Sequence, residues 1–386
     1  MRLRRIKICL QDLYDRYLMS RAAAEEIRKF RDPRRREIYE KCSLSDGQKR
    51  EIDALFLDNY GEKIPYTWHR HYTMYTGNFD VRYFPEMLYI PEFERFMNDG
   101  VLAEALSDKN LLPLIAESIG VRMPASIISR IRGIYHDHDM NVISEGEAIQ
   151  CLENAGIVFA KPSVDTSSGE KCMRLQLVDG VDQDSGMPLK EVFRLLGEDF
   201  CFQACVVCHD AIRRLYPGSV NTFRVITYIW KEEVIAMPVI MRIGRGGAAV
   251  DNAHAGGMFI AVSDDGILHR SAFTEFREEY TEHPDTHVVF DGYEIPHFAD
   301  VISAAKRMHG ALSQIGVINW DFTIDESGTP VLIEANINGG SIWLIQMAHG
   351  TGCFRDKTEE ILRWLRVMKK TPKNQREKYR YGRLDG

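Results

Sequence analysis

No run of 18 apolar residues occurs in the 386-residue chain, so the sequence offers no membrane-spanning helix. Positive charge is not in excess either, and a net charge of -7 argues against a general nucleic-acid binder. The opening MRLRRIK is basic like a secretion signal, but ICLQDLYDRYLM brings in Gln and Asp at once and leaves no apolar core for one. The GKS/T of a P-loop is missing. Eight cysteines without small-scaffold spacing fit reduced thiols, and a cytoplasmic protein is expected. What is present is an ordinary composition, 45% hydrophobic and 27% charged, in a chain long enough for two or three domains.

The stretch GVINWDFTIDESGTPVLIEANI, residues 316–337, holds the strongest chemical signal. Ile318, Trp320, Phe322 and Ile324 alternate with Asn319, Asp321 and Thr323, which is the period of a strand with one apolar and one polar face. Asp325 to Thr329 reads as a turn. The return strand then has Val331, Ile333, Ala335 and Ile337 on its apolar face and Leu332, Glu334 and Asn336 on the other. Pairing residue 324 with 331 sets Asp321 opposite Glu334, with Asn336 two residues on, and Cβ atoms about 5 Å apart. Two facing carboxylates repel unless a cation lies between them, and an Asp, Glu and Asn set suits Mg²⁺. The same alternation also describes a solvent-facing hairpin.

Cys201, Cys205 and Cys208 in CFQACVVC have the spacing of an iron–sulfur ligand set. They lie in an apolar, strand-like run where cysteine serves as a small hydrophobe, and a structural role is expected.

Residues 1 to about 40 read as helix, with Leu10, Leu13, Tyr14, Tyr17 and Leu18 at helical spacing and arginines on the other face. The basic cluster RKFRDPRRR closes it. Either it docks the protein to anionic lipid or a membrane-bound partner, or it is a solvated face, which is the commoner outcome. Residues 60–98, with WHRHY and TGNFD, are dense in aromatic, His and Arg residues and are expected as a structured loop layer. His69 and His71 share a face only in a strand.

Ser107 caps a helix ending at Gly120, with Lys109 at or just before its start. Lys161 ends the apolar strand IVFAKP before the loop SVDTSSGEK, an arrangement that suits a phosphate clamp and equally a plain hairpin. NTFRVITYIW and VIAMPVIMRIG form a second hairpin carrying Arg224 and Arg242, whose faces parity alone leaves open. Two arginines converging on one face would receive a polyanion. GRGGAAVDNAHAGG is a loop whose backbone approaches a ligand, with Asn252 and His254 as its polar members. A helix from Phe298 to Ile315, capped by Gly316, leads into the first hairpin, and the tail KKTPKNQREKYRYGRLDG is expected to fray.

Taken in order, NTFRV, RIG, VDN, AGG, INWDF and IEAN resemble the sugar-transfer-associated branch of the ATP-grasp superfamily, over about residues 102–368. The resemblance implies an α+β fold: two lobes gripping nucleotide, preceded by a largely helical N-terminal region. It divides the chain into an N-terminal region 1–100, a small lobe 101–200, a large lobe 201–372 and a basic tail 373–386. It also implies that Lys109 and Lys161 contact ATP phosphates while the loop with Ser167, Ser168 and Gly169 closes over them. Gln203, Ala204, Cys205 and Val206 would form the adenine hinge, and Asn252 would line the nucleotide site. Arg224, Arg242 and Lys161 would serve catalysis, and Asp321, Glu334 and Asn336 would hold Mg²⁺. An acidic ribose contact just after the hinge is missing, and His209 and Asp210 would substitute. The implied reaction joins a carboxylate to an amine through an acyl phosphate, with ADP released, on small-molecule substrates that family association links to glycans. A kinase using His69, His71 or His254 as base is the alternative, and a nucleotide-binding regulatory module is a third.

Overall fold

The computed structural model describes residues 2–163 and 171–384. Its strands form two sheets in which each strand pair among the described residues is antiparallel, as expected of an α+β chain. The smaller runs in the order Val142–Ile143, Ile134–Asp137, Ser126–Ile131, Phe200–Ala204, Gly156–Pro162, Met173–Val178, Val181–Asp182. Helices Glu145–Leu152 and Leu189–Leu196 cover one face, burying Leu152, Val192 and Phe193 against Val158, Ala160 and Phe202. Ser144 opens the first of these helices with a capping box to Glu147.

The larger sheet runs Glu279–Tyr280, Leu268–Phe273, Met258–Val262, Val239–Ile243, Thr222–Trp230, Val317–Ile324, Pro330–Asn336, with Glu233–Ala236 also pairing to Thr222–Trp230. One face packs on the helix Phe298–Ala311 through Ile318, Trp320, Phe322, Val301 and Met308. Along the other face parity divides by height. Ile226, Tyr228, Ile240 and Ala261 lie in an aromatic core with Trp68, Tyr72, Phe93 and Trp364, contributed by the N-terminal helices and the helix Thr358–Lys370. Higher on the same face stand Thr222, Arg224, Arg242 and Asp321, and that half is charged.

Several sequence expectations are corrected here. The first 40 residues form two helices, Arg2–Lys29 and Pro33–Glu40, because Asp32 caps the second and Pro33 cannot continue the first. WHRHY is not a loop layer: Thr67–Thr76 is a helix, closed by Gly77 at φ 75°. His69 and His71 are therefore not paired on one strand face, yet both are fully buried. Gly316 is not a helix cap. The helix ends at Ala311, and a Cβ at Gly316 would strike the carbonyl of Met97. Helices Gly100–Leu106 and Leu111–Ser118 pack into the larger core through Ala103, Leu112 and Ala116, while Phe200–Ala204 is central in the smaller sheet. The smaller lobe is thus built on residues 126–204. The tail does not fray up to residue 384, because Tyr379 accepts from the Trp364 indole at 2.7 Å and Gly382 lies against the Trp230 ring.

Candidate functional site

Register decides the site. Arg242 lies opposite Thr222, Arg224 opposite Ile240, Asp321 opposite Arg224 and Glu334 opposite Asp321, so one face carries Arg242, Arg224, Asp321 and Glu334 across four adjacent strands. The question parity left open is answered: the two arginines share a face. Arg224 Nε stands 2.6 Å from Asp321 Oδ1, and Arg242 Nη2 stands 3.1 Å from Oδ2. Burial alone would raise the Asp321 pKa, but the two guanidinium groups outweigh it and hold the carboxyl below its usual range. Arg242 is fixed in turn by the Thr222 hydroxyl at 2.7 Å, and Asp251 accepts from the Thr222 amide at 2.9 Å. Burial pushes Asp251 up against the pull of Arg242, 3.6 Å away.

The Asp321–Glu334 pairing matches the expected one, but by a different path. A bulge at Ile333 offsets the strands, so Ile324 pairs with Pro330 and Phe322 with Leu332. Leu332 accordingly joins the apolar core beside Phe322 and is not on the polar face. Asn336 and Asn319 face each other on the same side as Asp321, and Asn336 Nδ2 approaches Asp321 Oδ2 at 3.4 Å. Asn319 Oδ1 is buried without a hydrogen-bond partner among the described residues. Glu334 is the open member, its side chain 34% exposed. This all-oxygen set fits Mg²⁺ in donor chemistry, with Glu334 the accessible ligand and Asn336 and Asp321 beside it. Asp321 shares its oxygens with guanidinium groups, which leaves Glu334 as the principal candidate anion for a cation.

The opposing wall comes from the smaller sheet. Lys161 pairs with Cys201 and Gln203 with Phe159, so Lys161, Cys201 and Gln203 lie on the face away from that sheet's own core. Lys161 is buried and has no ion pair among the described residues. Lys109 precedes the helix Leu111–Ser118, its amide donating to Ser163 and its Nζ 3.4 Å from Glu334, so it ties the edge of the smaller sheet to the charged row. Ser167, Ser168 and Gly169 lie outside the described residues. Gln203 and Ala204 end the central strand, and Cys205 and Val206 continue into a segment pinned to the larger sheet by His209 N to Ile324 O at 2.8 Å. Burial raises the thiols of Cys201, Cys205 and Cys208, and Cys208 bonds the Thr323 hydroxyl at 3.4 Å, as small buried polar hydrophobes do. His209 caps the helix Asp210–Leu215. Asn252 caps a single turn at Ala253–Ala255.

Sequence reasoning missed the N-terminal contribution. Glu94 accepts from the amides of Gly339 and Gly340, and Glu86 from those of Ile342 and Trp343, so two buried carboxylates hold the loop that leaves the charged hairpin. A Cβ at Gly340 would overlap the Asn319 amide, which is why glycine stands there. Glu275 was also unread: it pairs with Arg35 and accepts from His254 Nδ1 at 2.7 Å, while Arg35 stacks 4.1 Å over Trp343. No periodic signal marks these residues, although Asn319 shares the parity of Asp321 and was open to the same argument. His69 and His71 are enclosed, with pKa values pushed down to about 4 and about 3 by burial, and His69 Nε2 lies 3.0 Å from the Val81 carbonyl, so neither ring is open to a substrate hydroxyl.

The sequence matches the family described as sugar-transfer associated ATP-grasp over residues 90–361. The chain belongs to that family. Solved structures that this chain matches include an ADP complex of N5-carboxyaminoimidazole ribonucleotide synthetase (13% identity, 61% of this chain and 45% of that one, TM-score 0.37). An L-amino acid ligase from Bacillus licheniformis matches at 13% identity over 66% of this chain and 47% of that one, TM-score 0.37. D-alanyl-alanine synthetase A from Vibrio cholerae O1 biovar eltor matches at 13%, over 69% and 66%, TM-score 0.41. The chain thus spans about half the length of the first two, at 45% and 47%. A sequence search of curated proteins gives no match.

Proposed function

We propose that this ATP-grasp chain is an ATP- and Mg²⁺-dependent ligase that activates a carboxylate as an acyl phosphate for attack by an amine, in polysaccharide or other glycan-related synthesis. The observation that carries the reading is the row Arg242, Arg224, Asp321 and Glu334 on one sheet face. Lys109 joins that row at Glu334, and Lys161 lies on the outward face of the smaller sheet. Four cationic side chains suit a triphosphate and the charge that builds on a transferring phosphoryl group.

In this reading Lys109 and Lys161 orient the phosphates, and Arg242, fixed by Thr222, faces the oxygens of the group in transfer. Arg224 is clamped by Asp321, so little reorganisation is needed as charge develops. Mg²⁺ on Glu334, Asn336 and Asp321 would supply further neutralisation of phosphate charge. A carboxylate oxygen attacks the γ-phosphorus and ADP leaves; the amine then attacks the acyl carbon, and phosphate departs with that oxygen. No side-chain nucleophile is required.

The test is isotopic. Candidate acids labelled with ¹⁸O in the carboxylate should yield labelled inorganic phosphate together with ADP, and only when a suitable amine completes turnover. Unlabelled phosphate during confirmed turnover, or AMP with pyrophosphate, would exclude the acyl-phosphate route. One observation favours a second reading, a kinase: His254, held by Glu275 and three residues from Asp251, is available to take a hydroxyl proton. A stable phosphorylated product would select it.

A further inference from the structure

A cavity of about 310 Å³ lies apart from the charged row, where the helix Arg2–Lys29, the turn after the helix Asp46–Asn59 and the end of the helix Thr358–Lys370 meet. Arg16 comes from the first, Glu62 from the second, Arg366, Lys369 and Lys370 from the third, and Arg376 from the segment that follows it. None of the six belongs to the row that holds Arg224, Arg242 and Glu334. Five cations thus face one acid on the wall, in a chain whose net charge is -7. Basic residues in the last turn of a helix complement its dipole, which accounts for Lys369 and Lys370. It does not account for Arg16 or Arg376, which other elements bring to the same place.

Two of the five are held by carboxylates. Lys369 lies 3.0 Å from Glu62 and 3.4 Å from Glu92, with the Tyr60 ring 4.2 Å beneath it, and Arg376 pairs with Asp15. Arg366 donates to the Asp58 carbonyl at 3.2 Å, and the side chains of Arg16 and Lys370 form no ion pair among the described residues. Even with Glu62, Glu92 and Asp15 all ionised, five cations against three acids leave an excess of two positive charges, and Asp15 is shared with Arg95 besides. Arg366 and Lys370 stand four residues apart on one helix, where like charges repel. An anion in the cavity relieves that repulsion. The volume is at the lower end of the range of about 300–1,000 Å³ found for small-ligand pockets, which suits a small molecule and not a nucleic acid or an acidic protein surface. Guanidinium forks from Arg16 and Arg366 match phosphate oxygens, and Lys370 adds a point charge. Three cations without a carboxylate partner, drawn from two helices, suit two linked phosphoryl groups better than one. We propose that this cavity binds a small molecule through a diphosphate group, with Arg16, Arg366 and Lys370 meeting its oxygens and Lys369 and Arg376 behind them. The site is separate from the charged row and does not depend on how that row is read.

The test is calorimetric titration of the full chain with inorganic pyrophosphate. The double variant R16Q/K370Q, altered at two exposed positions, should keep the wild-type melting temperature and bind pyrophosphate at least about 10-fold more weakly. Lys161→Ala should keep this site. Orthophosphate, with a single phosphoryl group, should bind the wild type at least about 10-fold more weakly than pyrophosphate does. Uridine diphosphate and farnesyl diphosphate, added as competitors, separate a soluble source from a lipid one: competition by either supports the diphosphate and names its source, and competition by neither overturns the proposal. Equal pyrophosphate binding by R16Q/K370Q and wild type, or none by the folded wild type, would overturn it as well. If binding falls in Lys161→Ala and not in R16Q/K370Q, the anion belongs to the charged row, so this proposal fails while the proposed function stands. Equal affinities for orthophosphate and pyrophosphate would reveal an adventitious ion only and would also overturn it.

Discussion

Arg224 and Asp321 stand opposite each other on adjacent antiparallel strands, Nε to Oδ1 at 2.6 Å, and Arg242 closes on the second carboxylate oxygen at 3.1 Å. One buried carboxylate thus neutralises two guanidinium groups, whereas its neighbour Glu334 keeps a third of its side chain open and meets only Lys109, at 3.4 Å, among the ion pairs of the described residues. The two acids of one hairpin therefore have different roles, and substitution should separate them.

Asp321→Asn leaves two buried cations short of their counter-charge, and breaking a buried pair of this kind costs about 3 kcal/mol or more. The urea midpoint should fall accordingly. Glu334→Ala removes a partly exposed group and should leave the unfolding free energy within about 1 kcal/mol of wild type while abolishing turnover. A well-folded Glu334→Ala protein with full activity would remove Glu334 from the chemistry.

Lys161→Ala should weaken Mg-ATP binding by roughly 10-fold or more in calorimetry, as expected for loss of a charge-assisted phosphate contact. Lys190→Ala, at an exposed position of the helix Leu189–Leu196 on the covered face of the smaller sheet, is the control and should bind as wild type. Equal affinities for the two variants would leave the strand end at Lys161 a plain structural feature.

Arg35 and Glu275 join residues 240 apart in sequence, and both are buried. Burial opposes the charge on Glu275, yet His254 and Arg35 hold its carboxyl below the ordinary range, so its contribution to stability is present above the unfolded pKa and is lost as pH falls through the lower folded value. Glu275→Gln should cost roughly 3 kcal/mol at neutral pH by leaving Arg35 uncompensated. Adding Arg35→Met, which removes the stranded charge, should recover part of that loss. Additive losses in the double-mutant cycle would show that the pair is not coupled.

Parity carried the sequence reading far where strands are regular. Asp321, Glu334 and Asn336 fell on one face because residues alternate by two. The same rule misplaced Leu332, since it has no term for a one-residue bulge at Ile333. The Thr67–Thr76 helix escaped because a ring-dense helix buried on most sides shows no polar stripe. Strands Met258–Val262 and Leu268–Phe273 were never singled out, so Glu275 just beyond them went unread. Tertiary partners hundreds of residues away, such as Glu86 for Ile342 and Tyr379 for Trp364, leave no local periodicity from which to infer them.

Glu86 provides the pH test of how the N-terminal helices support the site. Its Oε1 accepts from the Ser341 hydroxyl and the amides of Ile342 and Trp343, each at 2.8 Å, while Oε2 is buried without a partner among the described residues. Burial and the neighbouring Glu26 outweigh those donors and push the Glu86 pKa from 4.5 to about 7. Because the folded chain then binds the proton more tightly than the unfolded chain, the associated stability is present below pH 4.5 and is lost as pH rises through about 7. Glu86→Gln keeps the accepting oxygen and removes the titration. Its melting temperature minus that of wild type should therefore increase between pH 4.5 and pH 7, by at least about 2 °C, and level off above. A difference that stays flat across this range, or shrinks, would mean that Glu86 is ionised in the fold throughout and that its charge, not only its oxygen, anchors the 339–343 loop.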